Sequence, residues 1–144
     1  MQLNPYLIFN GNCEEALQFY ERVLGAKVDC LLRHEATPAE QNIPHEWRKK
    51  VMHARFTING QPVMASDCPP QHYQPPQGFS VTLGIEDPAE ADRVFAALAE
   101  QGNVRMPIAE TFWARRFGML VDRFGIPWMV NCAKAQPEFS SAAA

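Results

Sequence analysis

Tyr6-Leu7-Ile8-Phe9, a turn at Gly11-Asn12, then a stripe of Phe19, Tyr20, Val23 and Leu24 is the stretch that decides the fold, because the chain writes it again about 75 residues later. The second copy runs Phe79-Ser80-Val81-Thr82-Leu83, turns through Asp87-Pro88 and continues with Val94, Phe95, Leu98 and Ala99. Spacing of i, i+1, i+4, i+5 is a helical face, and the apolar run before it is a strand. Gly25 and Gly102 follow the two stripes as helix stops. Strand-like runs then follow at 27 to 33, 51 to 58 and 62 to 66, and at 104 to 108, 115 to 121 and 126 to 132. Each half therefore reads βαβββ, with helices over 13 to 24 and 88 to 101, and the class is α+β. The expected layout is a first module over 1–67, a Pro-rich linker over 68–78, a second module over 79–133 and a flexible tail over 134–144. The two modules are expected to form one cupped, mixed eight-stranded sheet around a cavity.

With 144 residues and 47% hydrophobic content the chain can bury a sizeable core. Its formal charge of -3 offers no broad positive field to a polyanion, which excludes nucleic acid as a partner class. Arg48-Lys49-Lys50, the one basic run, reads as a solvated loop. No charged segment leads into an apolar one near Met1, and no run of about 18 apolar residues occurs, so a cytoplasmic protein with no membrane partner is expected. Cys13, Cys30, Cys68 and Cys132 lack metal-site or disulfide-framework spacing and read as reduced thiols. Cys13 stands at a helix start, where the dipole lowers a thiol pKa, and is the one to watch.

Alternation along Met52 to Ile58 puts Ala54, Phe56 and Ile58 on the helix side and His53, Arg55 and Thr57 on the open side. Tyr6, alternating with Leu7 and Phe9, shares that open side, either as a ligand contact or as a wall. His53 either works in the cavity or makes a cross-strand hydrogen bond. Glu110, beside Phe112 and Trp113, is either a general base or the partner of Arg115 or Arg116. Trp113 either stacks on a ligand or packs in a core or dimer contact. Asp67 either meets a ligand or caps the Pro-rich turn. The long loop from His34 to Lys50 is either a lid or a surface excursion. The segment Cys68 to Gly78, with Pro69-Pro70 and Pro75-Pro76, reads as an extended polyproline-like path with His72 and Tyr73 exposed.

Asp122-Arg123-Phe124-Gly125 is a turn signal that closes a last hairpin ahead of Trp128. Together with Asn4-Pro5-Tyr6-Leu7, Gly11-Asn12, the segment Tyr20 to Gly25, His53-Ala54, Ser66-Asp67 and Glu110-Thr111-Phe112-Trp113, it resembles the PhnB-like branch of the vicinal oxygen chelate superfamily. That superfamily includes glyoxalase I, extradiol dioxygenases and bleomycin-resistance proteins. The resemblance implies a homodimer and a ligand cavity in the cupped sheet. In metal-using members it implies a divalent ion held by a His near the first strand and a carboxylate on the last strand of each module. At those places this chain has Asn4, Ser80 and Asn131, and near Met64-Ala65-Ser66 no carboxylate before Asp67.

Neutral amide and hydroxyl oxygens are weak ligands for zinc, nickel or iron, so no cofactor is expected, a divalent metal remaining open only through His53, Asp67 and Glu110. Two functions follow. One is a small-molecule-binding protein without the usual metal site, using Tyr6, Asp67, Trp113 and Asn131. The other is an enzyme of proton-transfer, isomerase or lyase type on a small oxygenated or phosphonate-like metabolite, with Glu110 and His53 as catalytic groups. A ubiquinone methyltransferase label that some members of the branch carry finds no glycine-rich nucleotide turn at Phe9-Asn10-Gly11-Asn12-Cys13 to support it.

Overall fold

A computed structural model describes residues 1–135. The tail expected from 134 lies almost wholly outside the described residues. Two compact units divide the chain, Met1–Gln77 and the remainder from Gly78.

In the first unit the order is β1 (Tyr6–Phe9), α1 (Cys13–Leu24), β2 (Lys27–Arg33), β3 (Val51–Ile58) and β4 (Gln61–Asp67). The strands lie in the order β1-β4-β3-β2. β1 runs parallel to β4, and the other pairs are antiparallel. Leu7, Phe9, Ala54, Phe56 and Ala65 point to α1 and are buried with its Ala16, Leu17 and Tyr20. The rings of Tyr20 and Phe56 stack with centroids 6.2 Å apart. Each such buried aromatic or leucine contributes about 1.5–3 kcal/mol of transfer free energy. The buried stripe of α1 lies further toward its N-terminus than the spacing predicts, because Cys13, Ala16 and Leu17 are buried while Val23 and Leu24 are only half-buried. β3 and β4 are joined by Asn59-Gly60, both at positive φ (49° and 77°), the two-residue turn that Asn-Gly favours.

The second unit repeats the plan with β5 (Val81–Gly84), α2 (Pro88–Ala99), β6 (Asn103–Ala109), β7 (Ala114–Val121) and β8 (Pro127–Ala133), in the order β5-β8-β7-β6. Only β5 and β8 run parallel. Phe79, expected inside the first strand of this half, precedes it and is exposed. Val94, Phe95 and Leu98 of α2 pack on β7 and β8, where Leu120, Trp128, Val130 and Cys132 are buried. Gly25 ends α1 in the left-handed conformation. Gly102 does not repeat that role, since Gln101 takes the positive φ of 57°. Glycine is required at 102 because a Cβ there would strike the carbonyl oxygen of Val121.

The segment from His34 to Lys50 folds into two short 3-10 turns, Pro38–Asn42 and His45–Trp47. Its base is zipped by Glu35 N donating to Arg48 O at 2.9 Å, and Lys50 Nζ donates to Gly11 O at 2.7 Å. Arg48 pairs with Glu40, so the basic run is partly tied into the fold. The Pro-rich segment does not start as an extended path: His72 N and Tyr73 N both donate to Pro69 O, which makes a turn there. His72 is exposed and Tyr73 half-buried.

Candidate functional site

Helix α1 covers one face of the first sheet, so alternation leaves Tyr6 and Ile8 of β1 and His53 and Arg55 of β3 on the other face. Across that open face Tyr6 is in register with Met64, Met64 with Arg55, and Arg55 with Cys30. Tyr6 Oη and His53 Nδ1 are 3.0 Å apart, with ring centroids 5.7 Å apart. The cross-strand hydrogen bond therefore exists, and Tyr6 is its other end. It occupies Nδ1 and leaves the Nε2 edge of the imidazole for other work.

The open face of the second sheet carries an apolar row flanked by Thr82 and Asn131. Gly118 and Leu120 turn toward α2, so Phe117 and Met119 face the other way, beside Asn131 and Met129 of β8. Met106 of β6 is in register with Met119, which places three thioethers abreast on neighbouring strands. Trp113 sits against Phe117 with centroids 5.4 Å apart and against Phe112 at 4.8 Å, both edge-on. It remains 47% exposed, which leaves ring surface for a further contact. The β6–β7 connection that carries it is fixed by Thr111, whose Oγ1 accepts from Ala114 N at 3.0 Å. Asn131 is half-buried, and its Oδ1 is enclosed with no hydrogen-bond partner.

Glu110 stands at the start of this connection, exposed, with Oε1 taking Lys134 Nζ at 3.1 Å. Its partner is neither Arg115 nor Arg116: the first donates to the carbonyls of Ala133 and Glu86, the second pairs with Asp92. Lys134 lies 24 residues further along the chain and is brought back by the β7–β8 pairing, where Ala114 is in register with Ala133. His53 belongs to the first unit, while Glu110, Trp113 and Asn131 belong to the second.

Asp67 is buried and does not cap the Pro-rich turn. Its Oδ1 accepts from Cys13 N and its Oδ2 from Val51 N, both at 2.9 Å. Cys13, the thiol singled out at the helix start, is not activated there. Burial pushes its pKa far up, and the charge of Asp67, with that of Glu14, adds to the shift and overrides the helix dipole. Asp122, quoted above only as a turn residue, is likewise buried. Its Oδ1 accepts from Phe124 N and Ile126 N, and its Oδ2 from the indole N–H of Trp128 at 2.8 Å. The spacing Asp-x-Phe-Gly-Ile-x-Trp is the sequence trace of that arrangement.

The divalent ion implied by the family resemblance does not fit these donors. Asn4, Ser80 and Asn131 bring no imidazole and no anionic oxygen. Of the substitutes, Asp67 spends both oxygens on main-chain amides and His53 spends Nδ1 on Tyr6. Among the described residues no three or more His, Cys, Asp or Glu side chains are grouped to hold a metal.

Residues 1–131 match the family described as 3-demethylubiquinone-9 3-methyltransferase. Protein YjdN of Escherichia coli is 37% identical over 145 residues, covering 95% of this chain and 99% of its own. Protein PA1353 from Pseudomonas aeruginosa, a crystal structure, is 46% identical with a TM-score of 0.83, over 92% of this chain and 98% of that one. The PhnB protein from Bacillus cereus is 30% identical with a TM-score of 0.77, over 92% of this chain and 100% of that one. At the level of fold alone, a glyoxylase/bleomycin resistance protein/dioxygenase domain from Frankia sp. matches with a TM-score of 0.66 at 11% identity, over 93% of this chain and 98% of that one. With a repeated βαβββ plan that shares the fold of that domain, and with family matches that run nearly end to end, the chain belongs to the family described as 3-demethylubiquinone-9 3-methyltransferase.

Proposed function

We propose that this protein binds a small molecule against its open sheet surfaces, without the divalent ion of the metal-using relatives, and that it works as a homodimer in the cytoplasm. One observation carries the reading: the row Met106, Met119 and Met129 with Phe117 and Trp113 forms an apolar strand face that no helix of its own unit covers. Thioether side chains adapt to a ligand's shape, and a half-exposed indole adds rigid contact area. Four unpaired thiols suit a reducing compartment. An uncovered apolar face is also a reason for a second copy to pair with the first.

The family description names a methyltransferase, but support for that chemistry is lacking in this chain. Each sheet has a single parallel pair, unlike the mostly parallel nucleotide-binding sheet that such chemistry commonly uses. The enzyme reading rests on the Tyr6–His53 hydrogen bond, which orients an imidazole for proton transfer, with Glu110 as a second group.

A panel of small aromatic compounds followed by tryptophan fluorescence tests the binding reading. Saturable quenching that is weakened at least about tenfold by Trp113→Ala is expected, as for loss of one aromatic contact. Quenching unchanged in Trp113→Ala overturns it. Turnover of a compound that is lost in Glu110→Gln with binding intact moves the conclusion to the enzyme. Light scattering that gives a monomer at micromolar concentration removes the dimer.

A further inference from the structure

The arginines of the described residues are nearly all engaged. Arg33, Arg48, Arg93, Arg116 and Arg123 pair with carboxylates, while Arg22 and Arg115 donate to main-chain carbonyls. Among the described residues only Arg55 and Arg105 have neither kind of partner, and both are exposed. Arg105 is the extra residue of a bulge in β6. Arg55 differs, because it lies in register with Met64 and Cys30 on the open face of the first sheet, in company with Tyr6, His53 and Ser66, and the bulge beside it belongs to β2, whose extra residue is Asp29. The paired strand residues of that face, which also include Ile8, Cys30 and Leu32, contain no Asp or Glu, and Asp29, the exposed bulge residue beside Cys30, makes no ion pair with Arg55. An exposed guanidinium with no ion pair, next to an imidazole, a phenol and a hydroxyl, has donors in excess that no carboxylate of the chain receives.

We infer that this face is an oxyanion subsite, with Arg55, the Nε2 edge of His53 and the Ser66 hydroxyl as donors to a carboxylate or a phosphate-like group. Arg55 and His53 are two residues apart on β3, about 6.5 Å along the strand, a gap that an extended guanidinium spans. Tyr6 is the positioning residue. With its hydroxyl donating to His53 Nδ1, the neutral imidazole carries its proton on Nε2 and presents a donor; in the imidazolium both nitrogens are donors. For the neutral ring an anion therefore selects the arrangement in which Tyr6 donates, and in the imidazolium Tyr6 accepts from Nδ1 while Nε2 still donates to the anion. The inference rests on the reading that the open sheet faces bind a small molecule, and it concerns the face of the first unit only, so the two can fail separately.

The test follows the His53 ring by long-range nitrogen–proton NMR, assigned with His53→Gln, as inorganic phosphate is added at constant ionic strength with chloride as the counter-titrant. A saturable shift with phosphate and none with chloride is expected. Arg55→Gln should weaken it at least about tenfold, the loss of one charge-assisted contact. Arg55→Lys should retain part of the affinity, Tyr6→Phe should weaken binding while changing the tautomer seen at Nε2, and Arg105→Gln should leave the curve where it was. Acetate that reproduces the shift assigns a carboxylate, and response to phosphate alone assigns a phosphate-like group. No saturable shift up to tens of millimolar phosphate, or equal losses in Arg55→Gln and Arg105→Gln, overturns the subsite. Phosphate response with no aromatic quenching through Trp113 defeats the binding reading and leaves the subsite standing.

Discussion

Helix α1 begins behind Asn12, whose side chain makes no bond to the helix, whereas α2 begins behind Asp87, whose carboxylate accepts from Ala89 N and Glu90 N at 3.4 and 3.3 Å. The missing cap in the first unit is supplied from 54 residues along the chain, by Asp67 at the end of the adjacent strand β4, which accepts from Cys13 N and at the same time from Val51 N. At the matching end of β8 in the second unit stands Cys132, whose thiol donates to Glu86 O at 3.2 Å. The buried carboxylate of that unit, Asp122, serves its own hairpin. One plan is thus held by a remote anion in the first half and by two local ones in the second. An end that carries no built-in cap depends on tertiary structure for its first amides, and one with a local cap does not.

Substitutions that break this contrast rank themselves. Asp122→Ala strips acceptors from two amides and an indole N–H in a buried turn and should cost about 4 kcal/mol, read from the urea midpoint at unchanged slope. Asp67→Ala leaves two buried amides without acceptors and should cost about 3 kcal/mol. Asp87→Ala, at an exposed local cap, should cost about 1 kcal/mol. An equal loss at Asp87 and Asp67 would erase the difference between the halves.

The smallest effect belongs to Glu14, in the first turn of α1, whose carboxyl is held below its ordinary range by hydrogen bonding to the Arg33 guanidinium. A carboxyl with a lowered folded-state pKa stabilises at neutral pH and loses that contribution as pH falls through the lowered value. The pair is partly exposed, so screening limits Glu14→Gln to less than about 1 kcal/mol at pH 7. Thermal melts of the two proteins should converge in acid.

The elements were legible in the sequence because each depends on neighbours along the chain. The stripe after each apolar run located both helices, and α1, β2 and β3 fall at the bounds that periodicity predicts, Cys13–Leu24, Lys27–Arg33 and Val51–Ile58. Alternation along β3 also separated the buried Ala54 and Phe56 from the open-face Arg55. What spacing could not show was which distant atom satisfies a given polar group. Asp67 beside Pro69-Pro70 looks like a turn cap, and only the parallel pairing of β1 with β4 carries it to the start of α1. The same holds for Glu110 with Lys134 and for Tyr6 with His53, pairs 24 and 47 residues apart. Arg55 drew no special notice in the sequence, since an unpaired arginine is visible only once the partners of the others are known.

The Asp67 clamp also bears on the order in which the chain can assemble. The bond from Asp67 to Cys13 closes a stretch of 54 residues, against 6 between Asp122 and Trp128. By chain-closure entropy the first costs about 3.5 kcal/mol and the second about 1.6, apart from a common constant. The second half can start from a hairpin and a helix that each complete their own polar ends within a few residues. The first half must wait for its last strand before the helix that was synthesised earliest has all of its amides engaged, so the N-terminal half is the later to seal although it leaves the ribosome first.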